Sequence, residues 1–208
     1  MYIPPYYRNT DLEELKTFMR AFPFALIASN GALVPQATHL PFVLHEREGR
    51  IVLRSHFAKA NPHWQSLQDG SEALVVFQGP HAYVSPSNYE KAQNVPTWNY
   101  IAVHARGLIK LLHNDQDARA LLEEMIRAYE PGWFAQWQAL DRQYVANMIK
   151  GIVAFEIEVL QLEGKFKLSQ NKTANERQTI AAQLGKSDDG AAQQIASHMQ
   201  EQEKKHHS

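Results

Sequence analysis

The sequence predicts a mainly β, α+β fold: a small antiparallel barrel with helices inserted between its strands. Strand patterns dominate the first half of the chain, helical patterns interrupt and follow them, and one strand pattern returns late. This order contains no repeated βαβ unit, which argues against a doubly wound parallel sheet. An antiparallel barrel with helical excursions accommodates all of these observations.

The first elements are a helix and a series of short strands. Thr10, with Glu13 three residues later, forms the pattern of a capping box and predicts a helix start. The apolar and alternating runs that follow are bounded by turn residues, which indicates strands. The predicted elements in this region are strands at 25–29, 36–44, 50–56 and 72–77 and a short helix at 58–67. The last of these strands is expected to end at Gly79-Pro80.

The clearest strand pattern is the run at 98–112. Its alternate residues form an apolar face made of Ile101, Val103, Ala105, Ile109 and Leu111. Gly107 lies in the same register, and a glycine there is expected to provide the bend or bulge that closes a barrel. The opposite face is mixed, so we expect one face to pack a core and the other to meet ligand, solvent or a partner subunit.

The second half of the chain contains helical patterns and one late strand. Asn114 or Asp115 is predicted to cap a helix, and Thr173 is predicted to cap another that ends at Gly185. Alternating apolar residues predict a half-buried strand at 152–160 between these helices.

Length and composition limit the functional classes. The 208 residues suit one domain, which we place at 1–185, with a polar C-terminal helix or tail at 186–208. The absence of cysteine excludes disulfides and thiolate chemistry and fits a reducing compartment. The sequence has no secretory leader pattern and no apolar stretch of about 20 residues, so we expect a cytoplasmic protein without a membrane span. A formal net charge of -1 argues against strong nonspecific binding to nucleic acid.

Phosphate-binding and metal-binding motifs of the usual kinds are absent from the sequence. Arg54, Ser55 and Lys59 are candidates for phosphate binding, because cationic and hydroxyl donors at a strand end and helix start suit an anion. A solvated corner of the chain is the alternative. The histidines on predicted strands are His39, His56 and His104. Their spacing matches no local metal motif, so structural roles are favoured and no metal is expected.

The segment 79–100 concentrates aromatic side chains and prolines. Its aromatic residues include Tyr83, Tyr89, Trp98 and Tyr100. Rigid aromatic faces with polar edges suit a planar ligand. An aromatic loop packed against a dimer partner explains the same composition equally well.

Seven short stretches occur in a fixed order across nearly the whole chain. They are MYIPPYY at the start, ATHLPF from Ala37, HFAKANPHW from His56, GPHAYVSPSNY from Gly79, VPTWNY from Val95, VHARG from Val103 and KLSQNK from Lys167. In this combination the chain resembles the PaiB-type family of FMN-binding negative transcriptional regulators. Asn88 departs from the family pattern, in which a Trp is expected.

The resemblance implies an antiparallel split β-barrel of the FMN-binding type, related to pyridoxamine-phosphate oxidase, with peripheral and C-terminal helices. It also implies a homodimer with FMN at the subunit interface. The segment 55–59 is the implied contact for the FMN phosphate. The full set of cofactor-binding residues implied in this way is Thr38, His39, Arg54, Ser55, His56, Lys59, Asn61, Tyr83, Trp98, Asn99, Tyr100, Lys167, Ser169, Gln170 and Asn171.

The resemblance further implies repression of genes, in some bacteria those for protease production and sporulation. The sequence itself has no helix-turn-helix pattern with basic recognition residues, so DNA as a partner rests on the family alone. A flavin-dependent oxidoreductase is the second hypothesis, and a haem-binding or haem-degrading split barrel is the third. No residue spacing requires a particular general acid or base, so no catalytic residue is assigned.

Overall fold

Eight strands and six α-helices make up the regular structure of residues 1–31, 33–91 and 93–206, which the computed structural model describes. The strands are β1 (Arg8–Asn9), β2 (Phe24–Asn30), β3 (Pro35–Pro41), β4 (Val43–Arg47), β5 (Arg50–Ala58), β6 (Glu72–Val84), β7 (Thr97–Leu112) and β8 (Ile152–Lys167). The helices are α1 (Leu12–Ala21), α2 (Asp115–Tyr129), α3 (Phe134–Ala139), α4 (Arg142–Lys150), α5 (Ala174–Leu184) and α6 (Gly190–His206). Short 3-10 helices lie at Pro5–Tyr7, Pro62–Ser66, Pro86–Asn88 and Pro131–Trp133.

The strands form a mainly antiparallel sheet in the order β3-β2-β6-β7-β8-β5-β4, with β1 paired to β8. The pairs β2–β3, β2–β6, β4–β5, β5–β8 and β1–β8 are all antiparallel. The predicted α+β architecture with a dominant antiparallel sheet is therefore confirmed. None of the helices in the described ranges is long and apolar enough to span a membrane.

The chain divides into two compact units. We call the first the terminal unit, which comprises Met1–Leu15, Gln78–Val103 and Glu163–Ser208. The second is the middle unit, which comprises Lys16–Phe77 and His104–Leu162.

The core of the middle unit is a cluster of phenylalanine rings. Phe57 and Phe155 stack with ring centroids 4.9 Å apart, and Phe42 contacts Phe77 and Phe155 edge-on at 6.0 and 6.1 Å. Helices α2 and α4 cover the neighbouring apolar surface through a buried group that includes Leu121, which is fully buried. Apolar burial of this kind is the dominant stabilising term in folding.

Gly107 allows the strands of the middle unit to approach closely. A Cβ atom added at this position would lie 2.0 Å from the carbonyl oxygen of Glu158 and 2.8 Å from the side chain of Ile157. No side chain fits in that space, so glycine is required by the contact with β8 rather than by a positive φ.

Helices α5 and α6 of the terminal unit pack against each other. Thr173 caps α5, because its hydroxyl accepts the Glu176 amide while the Glu176 carboxylate accepts the Thr173 amide. This capping box satisfies two amide donors at the start of the helix. The buried residues of the two helices include Ile180, Leu184 and Ile195. The polar C-terminal segment is therefore helical over most of its length.

Several predicted boundaries differ from the structure. Asp11, not Thr10, caps α1, because its carboxylate accepts the amides of Glu13 and Glu14 at 3.0 and 3.1 Å. A carboxylate is also favoured over a hydroxyl by the positive end of the helix dipole. The segment predicted as a short helix at 58–67 is a five-residue 3-10 helix, which is too short to provide an anion site from its dipole.

The other differences concern the strands. The predicted strand at 36–44 is two strands separated at Phe42, whose amide bonds to the Pro23 carbonyl at 2.9 Å. Strand β6 continues through Gly79-Pro80 to Val84, and its pairing with β2 ends at Val76, before the proline that lacks an N–H donor. Strand β8 also continues beyond the predicted end at residue 160, to Lys167.

Candidate functional site

A buried imidazole joins two strands of the middle unit. His63 is 3% exposed, and its two ring nitrogens are hydrogen-bonded to Ser29 Oγ at 2.9 Å and to Thr38 Oγ1 at 2.8 Å. The Asn61 side-chain amide donates to Thr38 Oγ1 at 3.3 Å. The result is a hydrogen-bonded chain, Ser29–His63–Thr38–Asn61, that begins in the interior and ends at the half-buried Thr38 and Asn61.

Local structure places these four side chains. Ser29 and Thr38 lie on the paired strands β2 and β3, which brings residues distant in sequence onto adjacent strands. Asn61 caps the 3-10 helix that follows β5, since its side-chain oxygen accepts the His63 amide at 3.0 Å. This short-range turn is typical of asparagine before proline and points the His63 ring inward.

The neutral imidazole couples the two hydroxyl groups. Burial lowers the pKa of His63, so the ring is uncharged near neutral pH. One ring nitrogen of a neutral histidine donates and the other accepts. If the nitrogen facing Thr38 donates, the Thr38 hydroxyl proton is available to a ligand; if it accepts, Thr38 offers only a lone pair. The chain can therefore pass a proton between Ser29 and Thr38.

Lys59 and His56, which are close to Asn61 in the sequence, provide further hydrogen-bond donors. The Lys59 side chain is exposed, and no carboxylate in the described ranges pairs with its ammonium group. Its backbone is fixed, because its amide donates to Gly151 and its carbonyl accepts the Trp64 indole N–H. The Nδ1 atom of His56 is buried and has no hydrogen-bond partner of good geometry among the described residues; burial lowers the pKa of the ring, and a backbone contact with Phe57 partly opposes that shift. Such an orphaned atom is unusual and is often completed by a ligand or a water.

Three other predicted residues contact protein groups of the middle unit, although the buried Nε of Arg54 has no hydrogen-bond partner among the described residues. The Arg54 guanidinium donates to Glu124 Oε2 at 2.7 Å. Ser55 is completely buried and donates its hydroxyl to the Pro41 carbonyl at 2.7 Å. The ring of His39 stacks against Phe24 at 5.9 Å on an exposed stretch of β2 and β3. Lys59 and the Nδ1 atom of His56 therefore keep capacity for a ligand, whereas Thr38 and Asn61 are held in position by their bonds to each other and to His63.

The KLSQNK stretch of the terminal unit forms a tight turn between β8 and α5. Ser169 has a positive φ of 65°, which is uncommon for a residue with a side chain. Its hydroxyl and the Asn99 amide bond to each other at 3.0–3.1 Å, and both residues are almost fully buried. The Gln170 side chain donates to the Phe166 carbonyl and accepts the Leu168 amide at 2.8 Å. These polar groups fix the turn.

Tyr7 and Lys167 lie beside this turn. The Tyr7 hydroxyl donates to Asn171 Oδ1 at 3.0 Å, and burial, with smaller contributions from nearby tyrosines, raises its pKa to about 12. The Lys167 ammonium donates to the Thr97 hydroxyl and the Trp98 carbonyl. Burial, reinforced by the neighbouring Lys165, lowers the pKa of Lys167.

Exposed aromatic rings continue along β6 and β7 in the terminal unit. Trp98 is 52% exposed and contacts Tyr83 edge-on at 5.9 Å and His81 at 5.8 Å. The Tyr100 ring lies 5.2 Å from the Lys165 ammonium. Asn88, where the family pattern has Trp, is buried in a 3-10 helix and donates to the Ser85 carbonyl at 3.2 Å.

The predicted site residues thus fall into both units. Those of the middle unit are Thr38, His39, Arg54, Ser55, His56, Lys59 and Asn61, and those of the terminal unit are Tyr83, Trp98, Asn99, Tyr100, Lys167, Ser169, Gln170 and Asn171. The sequence patterns do not indicate His63, Ser29 or Lys165 as site residues. The Asn-Pro-His pattern predicts a helix cap next to His63, but the hydrogen-bond partners of all three residues are distant in the sequence.

Comparison with known proteins gives a match over most of the chain. The family model described as "Putative FMN-binding domain" matches residues 1–161. "Protease synthase and sporulation protein PAI 2" of Bacillus subtilis is 36% identical over 207 residues, which are 99% of each chain. An uncharacterised protein of Emericella nidulans is 30% identical over 86% of this chain and 88% of its own length.

Solved structures share the fold at low identity. The flavocytochrome Anf3 of Azotobacter vinelandii has a TM-score of 0.61 at 19% identity, covering 79% of this chain and 72% of its own. The FAD and haem binding protein of Mycobacterium smegmatis has a TM-score of 0.62 at 20% identity, covering 82% and 78%. The fold is the split barrel that the sequence motifs indicated.

Proposed function

This chain belongs to the "Putative FMN-binding domain" family, and we propose that it uses bound FMN to regulate gene expression negatively. Family and fold make it an FMN-binding split-barrel protein, with FMN as its cofactor. The observation that carries the regulatory role is the 36% identity, over essentially the whole length, to a protein named for protease synthesis and sporulation.

We propose that residues of the middle unit hold the FMN phosphate. Thr38, His56, Lys59 and Asn61 provide a hydroxyl, an imidazole, an ammonium group and an amide, and no acidic side chain belongs to the set. A phosphate monoester is a dianion that prefers such donors, especially charged ones. The unpartnered Nδ1 atom of His56 supports this assignment, because a buried polar atom needs a partner.

Bound FMN supplies one- and two-electron redox chemistry, and the protein binds and orients it. In the middle unit, His63 holds the Thr38 hydroxyl in place by a hydrogen bond. The Asn61 side chain caps the turn through its oxygen and donates its amide group to the same hydroxyl. The site residues of the terminal unit stay predicted flavin neighbours. They are Tyr83, Trp98, Asn99, Tyr100, Lys167, Ser169, Gln170 and Asn171.

The phosphate assignment is tested by titrating FMN into wild-type protein and Lys59→Ala while following flavin fluorescence. Loss of one charge-assisted hydrogen bond should weaken binding by about 1.5–3 kcal/mol, or roughly 10- to 150-fold in Kd. Lys186→Ala, which removes an exposed lysine after α5, is the matched control and should bind normally. Equal affinities of wild type and Lys59→Ala would place the phosphate elsewhere.

A flavin-dependent oxidoreductase is the second candidate function, favoured by the Ser29–His63–Thr38 chain. A buried hydroxyl–imidazole–hydroxyl chain can move a proton during flavin reduction. Rapid bleaching of the FMN-loaded protein by NAD(P)H, followed by turnover with oxygen, would support the enzyme. Sequence-selective, salt-sensitive DNA binding without such turnover would support the regulator.

We also propose that the protein is a homodimer in the bacterial cytoplasm with FMN at the subunit interface. The exposed aromatic rings Tyr83 and Trp98 support an interface, because large exposed apolar groups cluster at contact surfaces. Light scattering during size-exclusion chromatography should give twice the mass of the 23.7 kDa chain. Residues 1–185 are proposed as the FMN-binding domain, with 186–208 as a C-terminal helical extension.

A further inference from the structure

Three cationic side chains lie on one face of two paired strands in the terminal unit. Arg8 of β1 is the direct cross-strand partner of Lys165 of β8. Lys167 lies two residues beyond Lys165, and alternate residues of a strand project from the same face. Like charges in such positions repel each other and destabilise a sheet unless an anion compensates them.

Lys165 is a buried cation without an acidic partner among the described residues. It is 8% exposed, and its ammonium group donates to the Tyr2 carbonyl at 3.1 Å. Glu163, two residues earlier on β8, is ion-paired with the Met1 amino group at 2.8 Å. The rings of Tyr2 and Tyr100 lie 5.8 and 5.2 Å from the ammonium group. Cation–π contacts of this kind offset only part of the cost of burying a charge.

The two lysines have unused hydrogen-bond donors. Each ammonium group carries three N–H donors. Lys165 uses one, on Tyr2, and Lys167 uses two, on Thr97 and Trp98, so one donor of Lys167 and two of Lys165 have no protein acceptor in the described ranges. Burial, reinforced by the positive charge of Lys165, lowers the pKa of Lys167.

The surroundings of these cations are aromatic. Lys167 bonds to the carbonyl of the half-exposed Trp98, and its ammonium group lies 5.9 Å from the ring of Tyr7. We propose that Arg8, Lys165 and Lys167 bind the carboxylate or phosphate of a small planar aromatic ligand, distinct from the FMN phosphate. Lys165 lies outside residues 1–161 and outside the seven family stretches, whereas Lys167, a predicted flavin neighbour, would serve both ligands. This inference rests on the proposed function in one respect: it counts the aromatic anion as a second ligand, bound in addition to FMN.

The test measures binding of benzoate and phenyl phosphate to the full-length, FMN-saturated protein by calorimetry. We expect at least one of these aryl anions to bind, and cyclohexanecarboxylate, which is not planar, to bind more weakly. Arg8→Gln, Lys165→Gln and Lys167→Gln should each weaken binding at least 10-fold, whereas Lys165→Arg should retain most of it. Lys186→Gln is the matched control and should bind like wild type.

The outcomes separate this proposal from the proposed FMN site. If neither aryl anion binds, or if cyclohexanecarboxylate binds as well as benzoate, the proposal is wrong. A parallel loss of FMN affinity in Arg8→Gln and Lys165→Gln, neither of which changes a predicted flavin neighbour, would assign the cations to the FMN phosphate instead. Conversion of a dimer to a monomer would assign them to a carboxylate of a second copy. Arg8→Gln changes an exposed residue, so it tests the proposal even if Lys165→Gln does not fold.

Discussion

Replacement of the buried imidazole tests the Ser29–His63–Thr38 chain most directly. His63→Leu removes both ring nitrogens and keeps an apolar side chain against Phe57, whose ring centroid is 5.2 Å from that of His63. Ser29 is 8% exposed, so its hydroxyl would lose its partner where water has little access. Thr38 is half-buried, and water can replace its lost contact.

The exposures of Ser29 and Thr38 determine how much unfolding free energy His63→Leu should lose. Each lost hydrogen bond contributes about 0.5–1.5 kcal/mol, and a buried hydroxyl left unsatisfied costs about 1–3 kcal/mol. We therefore expect His63→Leu to lower the free energy of unfolding by about 2–4 kcal/mol. FMN binding should also weaken, because Thr38 would no longer be held in one orientation.

Two double-mutant cycles, measured by urea denaturation, isolate the individual contacts. In the first cycle Ser29→Ala is combined with His63→Leu, and in the second Thr38→Val is combined with His63→Leu. The Ser29–His63 coupling energy should fall within about 0.5–3 kcal/mol and exceed that of Thr38–His63. The Ser29–His63 coupling should be the larger because Ser29 is the more buried of the two hydroxyl residues. In the double variant that combines Ser29→Ala with His63→Leu, no buried hydroxyl is left unsatisfied.

A coupling between Ser29 and His63 does not exist if their two substitutions are additive within about 0.3–0.5 kcal/mol, the limit for independent sites. The predicted order of the two couplings is refuted if the Thr38–His63 coupling is the larger. Each single variant must unfold with the m-value of wild type, because a changed m-value would report a change in the denatured state.

Two further predictions concern stability. Gly107→Ala would place a Cβ 2.0 Å from the Glu158 carbonyl, so urea denaturation should show a loss of about 1–3 kcal/mol or more. Gly132→Ala, with no atom within 4 Å of the added Cβ, is the control and should be nearly neutral. Burial raises the pKa of Tyr129 from 10.0 to about 12, so its contribution to stability is complete below pH 10 and lost as the pH rises through 12. Tyr129→Phe should therefore flatten the alkaline decline in unfolding free energy, whereas Tyr144→Phe, which changes an exposed ring, should not.

Local patterns were sufficient for much of the secondary structure. The predicted cap of α5 at Thr173 is confirmed, because a capping box involves residues three apart and needs no tertiary partner. The strand predicted at 98–112 corresponds to β7, since its alternation spans the whole element. The strand end predicted at Gly79-Pro80 is wrong, because β6 continues to Val84 beyond its pairing with β2, which stops at Val76.

The candidate site also has a part that the sequence indicates and a part that only the structure reveals. The sequence indicated the segment around Lys59 and Asn61, where the turn residues and donors are close together in the chain. It did not indicate that Glu124, 70 residues from Arg54, accepts the guanidinium, or that His63 joins Ser29 and Thr38. Those contacts form when helix α2 and the 3-10 helix that contains His63 pack against the strands, and no local spacing encodes them.

Three properties of this protein can be read from the chain alone: the antiparallel, helix-interrupted fold, the FMN-binding family and the stretches that carry the polar and aromatic groups. Alternation, capping and motif order are local properties, so they can be read along the chain. Which of those polar groups are already bonded to the protein, and which still have donors to offer, follows from tertiary packing alone. Arg54 and Lys165 show the reason: the charge of a side chain belongs to the sequence, whereas its acceptor, Glu124 or the Tyr2 carbonyl, comes from a segment distant in the chain.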